Sequence, residues 1–195
     1  MKCFKLVIID LDGTLVGTRI NWEYVRRRVR EVLGLNEGAP LKPLATTLLK
    51  YWRGREGFEE ALRIIEEAEL RSVEGAEYPV GIKELIKELR SLGIEVAIVT
   101  LRSRRTTEPL LTKLGIEGLV SKVVTRDEEP DRREQLIKLM RELGVAPNEA
   151  LFIGDWLGDE LAGREVGTNT YIVRSYEETP KVIKEVINAC REFLK

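Results

Sequence analysis

The chain has 195 residues, 43% of them hydrophobic and 33% charged, with a formal net charge of -1 and no histidine. That is enough apolar material for one ordinary domain with a sizeable insertion, or for two small domains. The near-neutral charge supplies no attraction for nucleic acid or an anionic membrane, and the missing histidine removes Ser-His, Cys-His and histidine-metal chemistry.

The first element is an apolar run, Leu6 to Ile9, within KLVIIDLDGTL (Lys5 to Leu15). It has no polar alternation, which predicts a strand buried on both faces. The run ends in Asp10, then Asp12, Gly13 and Thr14. An Asp-Gly turn explains part of this pattern. A second carboxylate two residues earlier needs a further reason, because two like charges at close range repel and raise one pKa. A divalent cation between them removes that penalty.

An all-helical stretch follows. Trp22, Val25, Val29 and Val32 recur at helical spacing, which predicts a helix over Asn21–Leu33 with Asn21 as N-cap and Gly34 as C-cap. Its arginines (Arg26, Arg27, Arg28, Arg30) are expected to form a solvated face. Gly38, Pro40 and Pro43 mark a loop before a short helix, Leu44–Trp52. A longer helix, Phe58–Arg71, carries Phe58, Leu62, Ile65 and Leu70 on one stripe.

From Pro79 the pattern alternates. A helix through Ile82, Leu85, Ile86 and Leu89 stops at Gly93, and Glu95–Thr100 reads as a second buried strand. Thr106–Leu114 (helix), Ser121–Thr125 (strand) and Asp131–Leu143 (helix, stopped by Gly144) come next. Ala150–Ile153 is a strand ending in Gly154, Asp155, Gly158 and Asp159. A helix over Asp159–Val166, a strand over Thr170–Val173 and a helix over Pro180–Phe193 complete the chain. Strands separated by helices predict an α/β fold with a doubly wound, mostly parallel sheet.

In such a sheet the carboxyl ends of all strands face one crevice, so Asp10, Asp12, Thr100, Asp155 and Asp159 converge despite their separation in sequence. Carboxylates from two strands suit an oxygen cage for octahedral Mg²⁺. The Thr100 hydroxyl and nearby backbone N–H groups, that of Leu101 among them, suit a phosphate oxygen. Asp10, fixed at a strand end, is placed to attack. Asp12 is placed to protonate a leaving oxygen and later to take a proton from water.

These residues resemble the haloacid dehalogenase (HAD) superfamily, and within it the phosphatase branch whose helical cap follows the first motif, as in phosphoglycolate-phosphatase-like members. DLDGTL (Asp10 to Leu15) is similar to the family's first motif, Thr100 to its second and GDWLGD (Gly154 to Asp159) to its fourth. The resemblance implies an HAD-like core over residues 1–15 and 79–195 and a cap over 16–78. It implies an aspartyl-phosphate on Asp10, Asp12 as general acid/base, and Mg²⁺ held by Asp10, the Asp12 carbonyl and Asp155, with Asp159 close by. A dehalogenase of this superfamily would lack the second carboxylate, and an ion pump would carry Lys-Thr after the nucleophile. Hydrolysis of a small phosphorylated metabolite is therefore the leading expectation, with phosphoglycolate and sugar phosphates as examples.

One motif departs from the family. Its third usually supplies a Lys before the helix preceding the fourth strand; the corresponding stretch, TRDEEPDRREQL (Thr125 to Leu136), contains none. Arg126, Arg132 or Arg133 is a candidate cation in its place, although Arg and Lys are not interchangeable. Two alternatives stay open: a phosphotransferase or phosphomutase with the same intermediate, and a binding or regulatory protein weakened by the missing Lys. Arg102, Arg104, Arg105 and Arg19 are candidates for reading a substrate anion, with surface charge as their expected role. Trp156 is expected to line the pocket or to pack beneath the cap.

Cys3 and Cys190 are too few for a disulfide framework and are expected to be reduced, structural thiols. The amino-terminal MKCFKLVIID does not resemble a signal peptide, no apolar run approaches the roughly 18 residues of a membrane span, and a cytoplasmic location is expected. A monomer and a homodimer are both compatible with the sequence. The Glu, Lys and Arg content beside a single glutamine, Gln135, resembles a thermophile's composition.

Overall fold

The computed structural model describes residues 2–193. Five strands, β1 (Leu6–Asp10), β2 (Glu95–Val99), β3 (Lys122–Val124), β4 (Ala150–Gly154) and β5 (Asn169–Ile172), form one parallel sheet of order β3-β2-β1-β4-β5. β1 is central, paired with β2 from Leu6 opposite Glu95 to Asp10 opposite Val99, and with β4 from Leu6 opposite Ala150 to Ile9 opposite Ile153. Strand order reverses between β2 and β4, so the ligand-binding switch point falls at the carboxyl end of β1.

All five residues of β1 are buried, as its unbroken apolar run requires. Val7 and Ile9 point to one face, against Ile86 and Leu89 of α4 (Ile82–Ser91), Leu110 of α5 (Arg104–Leu114) and Ile183 and Val186 of α8 (Thr179–Phe193). Leu6 and Ile8 point to the other, against Leu136 and Leu139 of α6 (Arg132–Leu143) and Ala162 of α7 (Leu157–Val166). Burial of each such side chain is worth about 2 kcal/mol, which makes β1 the anchor of both layers.

Three helices, α1 (Trp22–Leu33), α2 (Leu44–Tyr51) and α3 (Phe58–Glu74), build a third apolar cluster of their own around Val25, Val29, Leu48, Phe58 and Ile65. Asn21 caps α1 by accepting from the Tyr24 N–H, and Gly34 closes it in a left-handed conformation, as predicted. α3 runs one turn past Arg71, and its stripe differs from the expected one. Towards its end Glu69 and Ser72 are buried while Leu70 is half-buried, because this part of the helix meets polar groups of the sheet layer. α5 starts two residues before Thr106, where the Asp127 carboxylate accepts the Arg104 N–H at 2.7 Å. α7 likewise starts before Asp159, which sits buried in its first turn.

The two cysteines are not free thiols. Cys3, just before β1, and Cys190, in the last turns of α8, lie with Cα atoms 4.5 Å apart and form a disulfide. The packing of α8 on the Val7/Ile9 face brings the two chain ends together, a proximity that spacing along the chain does not reveal. Among the described residues no helix is long and apolar enough to cross a membrane.

Candidate active site

The loop after β1 is a tight one. Gly13 N–H donates to the Val16 carbonyl at 2.8 Å, and the N–H groups of Leu15 and Val16 both donate to the Leu11 carbonyl. Gly13 has φ +83°, and a Cβ there would lie 2.2 Å from Asp155 Oδ2. Glycine is thus required twice over, by the left-handed backbone and by the close approach of the β4 loop.

Asp10 is buried at the end of β1, Asp155 follows β4, and Asp159 is fully buried in α7. Each offers a carboxylate oxygen, and the three atoms lie within 4.8 Å of one another. Burial and repulsion from neighbouring carboxylates shift Asp10 and Asp155. Asp10 is pushed well above the ordinary carboxylate range, mainly by loss of water, with Arg132 opposing and the neighbouring aspartates adding. Asp155 is pushed up to about 6, again by burial first and then by Asp159. An all-oxygen, like-charged cluster of this kind fits a hard divalent cation such as Mg²⁺, which would remove the repulsion. The Gly13 cradle, with no room for a side chain, keeps the Asp155 carboxylate against the first loop.

Asp12 is set apart from that cluster. Its carboxylate accepts from the Thr18 hydroxyl at 2.7 Å and from Arg102 through both oxygens, at 2.7 and 2.9 Å. Thr100 follows β2, buried, its hydroxyl accepting the Arg102 N–H and its carbonyl accepting from Gln135 Nε2 at 2.8 Å.

The arginines separate clearly. Arg132, at the first position of α6, donates to the Asp10 carboxylate, and its Nε lies 2.8 Å from Asp159 Oδ1. It stands in the Thr125–Leu136 stretch that carries no Lys, at the start of the helix preceding β4. Arg126 is buried elsewhere, paired with Glu69 at 2.5 Å and donating to the Leu101 carbonyl at 2.9 Å, so it does not face the aspartates. Arg133 is exposed beside Glu134 and Glu165. Arg19, Arg104 and Arg105 are surface residues paired with glutamates. Arg102 departs from the expected surface role, with a side chain only 1% exposed, because Asp12 and the end of α3 enclose it. Arg26 and Arg30 depart from the expected solvated face and are half-buried, Arg30 donating to the Ala39 carbonyl.

A cavity of about 300 Å³ lies between the strand ends and the helices. The sheet side supplies Asp10, Asp12, Thr100, Leu101, Arg132 and Asp155. Trp156 lines it as well, and α1–α3 with the loop before α2 contribute Trp22, Arg26, Lys42, Leu44 and Glu69. A separate surface groove between α1 and α3 carries Arg19, Arg28 and Arg71, but glutamates pair with all three and none of the aspartates lines it. Sequence reasoning missed Glu69, Ser72, Lys42 and Gln135. For Glu69 a signal existed: it stands four residues after Ile65, a carboxylate in register with an apolar stripe.

The family model for haloacid dehalogenase-like hydrolases matches residues 7–173. A phosphoglycolate phosphatase from Nitrosococcus oceani is 31% identical over 84% of this chain and 81% of its own length. Among solved structures, a haloacid dehalogenase-like family hydrolase from Streptococcus pneumoniae aligns over 98% of this chain and 97% of its own with a TM-score of 0.65 at 22% identity. CbbY from Rhodobacter sphaeroides, solved in complex with phosphate, aligns over 89% and 88% with a TM-score of 0.61 at 20% identity. These structural matches carry the fold, while the family model and the sequence relative carry the family. The chain belongs to the haloacid dehalogenase-like hydrolases, on their phosphatase branch.

Proposed function

We propose that this phosphatase hydrolyses small phosphate monoesters carrying a second anionic group, through a phosphoryl-enzyme on Asp10. The observation that carries the reading is the meeting of Asp10, Asp155 and Asp159 with Arg132 at one end of the cavity. An Asp10 oxygen attacks phosphorus, the ester P–O bond breaks, and Asp12 gives its proton to the departing oxygen. Water then attacks the phosphoryl group, Asp12 takes a water proton, and the Asp10 carboxylate and inorganic phosphate are released. Thr100 and the Leu101 backbone, both on the cavity wall, are the groups proposed to orient the phosphoryl oxygens.

Asp10, Asp155 and the Asp12 carbonyl, with Asp159 behind them, are the proposed Mg²⁺ ligands. When bound, the ion would offset charge on the transferring phosphoryl group. Arg132 holds Asp10 in place and supplies the fixed cation that the absent Lys would otherwise provide, which favours turnover over a weakened binding protein. Helices α1–α3, within residues 16–78, act as the cap over a core of residues 1–15 and 79–195. From that cap Arg26 and Lys42 line the cavity, and neither is ion-paired among the described residues. Two uncommitted cations lining the same cavity as the aspartates suit a phosphorylated carboxylic acid, such as the phosphoglycolate named for several relatives. A small, partly enclosed cavity also excludes bulk solvent, as a lid does.

The test is release of inorganic phosphate from a panel of small phosphoesters with Mg²⁺. Release that is fastest with phosphoglycolate-like dianions, and falls on Arg26→Met or Lys42→Met mainly through KM, supports the reading. Phosphoryl transfer to an added acceptor without phosphate release would favour the phosphotransferase alternative.

A further inference from the structure

Arg102 lies on the loop between β2 and α5, beneath the end of α3. Its Nε donates to Asp12 Oδ2 at 2.7 Å and its Nη2 to Asp12 Oδ1 at 2.9 Å. The same Nη2 donates to the Ser72 hydroxyl at 2.7 Å, and Nη1 donates to the Glu69 carbonyl at 3.1 Å. One rigid guanidinium therefore joins three parts of the molecule: the first loop, the β2 loop and the last turns of α3. Taking a guanidinium out of water costs several kcal/mol, and only a full set of well-aligned partners offsets it.

Attachment of α3 to the sheet layer does not require this arrangement. Arg126 already binds the Glu69 carboxylate at 2.5 Å, and Thr106 donates to it at 2.8 Å, with no contact to Asp12. Orientation of Asp12 does not require contact with α3 either. A single side chain does both, and half of its hydrogen-bond partners leave if α3 leaves.

We propose that Arg102 is a positioning residue that couples the seating of the helical cap to the orientation of Asp12. The proposal rests on the reading of Asp12 as the acid that protonates the leaving oxygen. With α3 seated, Ser72 and the Glu69 carbonyl fix the guanidinium plane, and that plane fixes the carboxylate. With α3 displaced, the guanidinium loses its frame and Asp12 loses its aim. Proton delivery is thereby tied to a closed site, where a substrate is shielded from bulk water.

The test compares two leaving groups at one pH with Mg²⁺. p-Nitrophenolate departs without a proton, whereas phenolate benefits strongly from one, so misaimed Asp12 slows phenyl phosphate selectively. Arg102→Met is expected to lower kcat for phenyl phosphate at least about tenfold more than for p-nitrophenyl phosphate. Arg102→Lys, which keeps the charge but loses the fork, is expected to show the same selectivity in milder form, and it serves if the Met variant does not fold. Arg126→Met, which loosens α3 without touching Asp12 or Arg102, is expected to slow phenyl phosphate selectively as well, because the displaced helix no longer frames the guanidinium. An equal effect of that variant on both substrates would show that Arg102 orients Asp12 without coupling it to the cap. Equal losses for both substrates in the Arg102 variants, or no loss, would overturn the coupling. Asp12→Asn separates the two levels: if it lacks the selectivity, the acid role fails and the coupling fails with it. If it shows the selectivity and the Arg102 variants do not, the coupling alone fails.

Discussion

Arg132 donates to the carboxylate of Asp10 from 122 residues further along the chain. Both side chains are buried, and Arg132 also pairs with Asp159. Burial alone would weaken the hold of Arg132 on its proton, but Asp10 and Asp159 reverse that, so the guanidinium stays charged. Removing it leaves two carboxylates in a poorly solvated site. Arg132→Ala is expected to lower kcat by about 10²-fold or more and to destabilise the protein by about 3 kcal/mol. Arg132→Lys is expected to recover part of both. Thermal unfolding and steady-state kinetics on the same samples check this.

The acidic cluster predicts a specific pH dependence. The folded-state pKa of Asp155, about 6, lies above its ordinary value, because burial raises it and Asp159 adds to the effect. A carboxyl group shifted upwards is protonated in the folded protein where the unfolded chain has already released its proton. Stability of the metal-free protein should therefore fall as pH rises from about 4 to about 6, with Asp10 shifted in the same direction. A divalent cation held by this cluster would need it deprotonated, so the melting temperature that added Mg²⁺ contributes should grow over the same window. Scanning calorimetry with Mg²⁺ and with EDTA at pH 5 and pH 8 measures this; an equal Mg²⁺ effect at both values would contradict it.

Glu69 and Arg126 form a second buried pair, between α3 and the segment after β3. Glu69→Gln keeps the shape and removes the charge, leaving Arg126 without its carboxylate. A loss of about 2 kcal/mol is expected, with earlier proteolytic cleavage within residues 16–78 than in the rest of the chain. Cooperative unfolding without preferential cleavage would argue against a cap held in this way.

The disulfide between Cys3 and Cys190 encloses nearly the whole chain, with a sequence separation of 187. Closing so long a loop removes unfolded-state entropy worth up to about 5 kcal/mol. Cys190→Ser, or a strong reductant, should lower the melting temperature by several degrees while leaving kcat unchanged, since α8 does not line the cavity.

These features differ in how far the sequence exposes them. The central strand, the helix ends at Gly34 and Gly144 and the convergence of Asp10, Thr100 and Asp155 follow from local patterns and the geometry of parallel sheets. Arg102, Glu69 and the Cys3–Cys190 bond do not, because each depends on which surfaces of separate elements meet. A charged residue in a loop or on a helix reads as solvated until a partner from another element closes over it. Arg132 was one of three arginines within eight residues, and only the start of α6 at that residue, with Asp131 as its N-cap, distinguishes it from Arg126 and Arg133.

The proposed phosphoryl-enzyme on Asp10 is the claim on which the proposed function turns. Hydrolysis of p-nitrophenyl phosphate, measured with Mg²⁺, with EDTA and in the Asp10→Asn variant, tests it most directly. Turnover that requires Mg²⁺ and falls by more than about 10³-fold in Asp10→Asn is the expected result. An Asp10→Asn enzyme with near wild-type turnover, its fold intact, would contradict it.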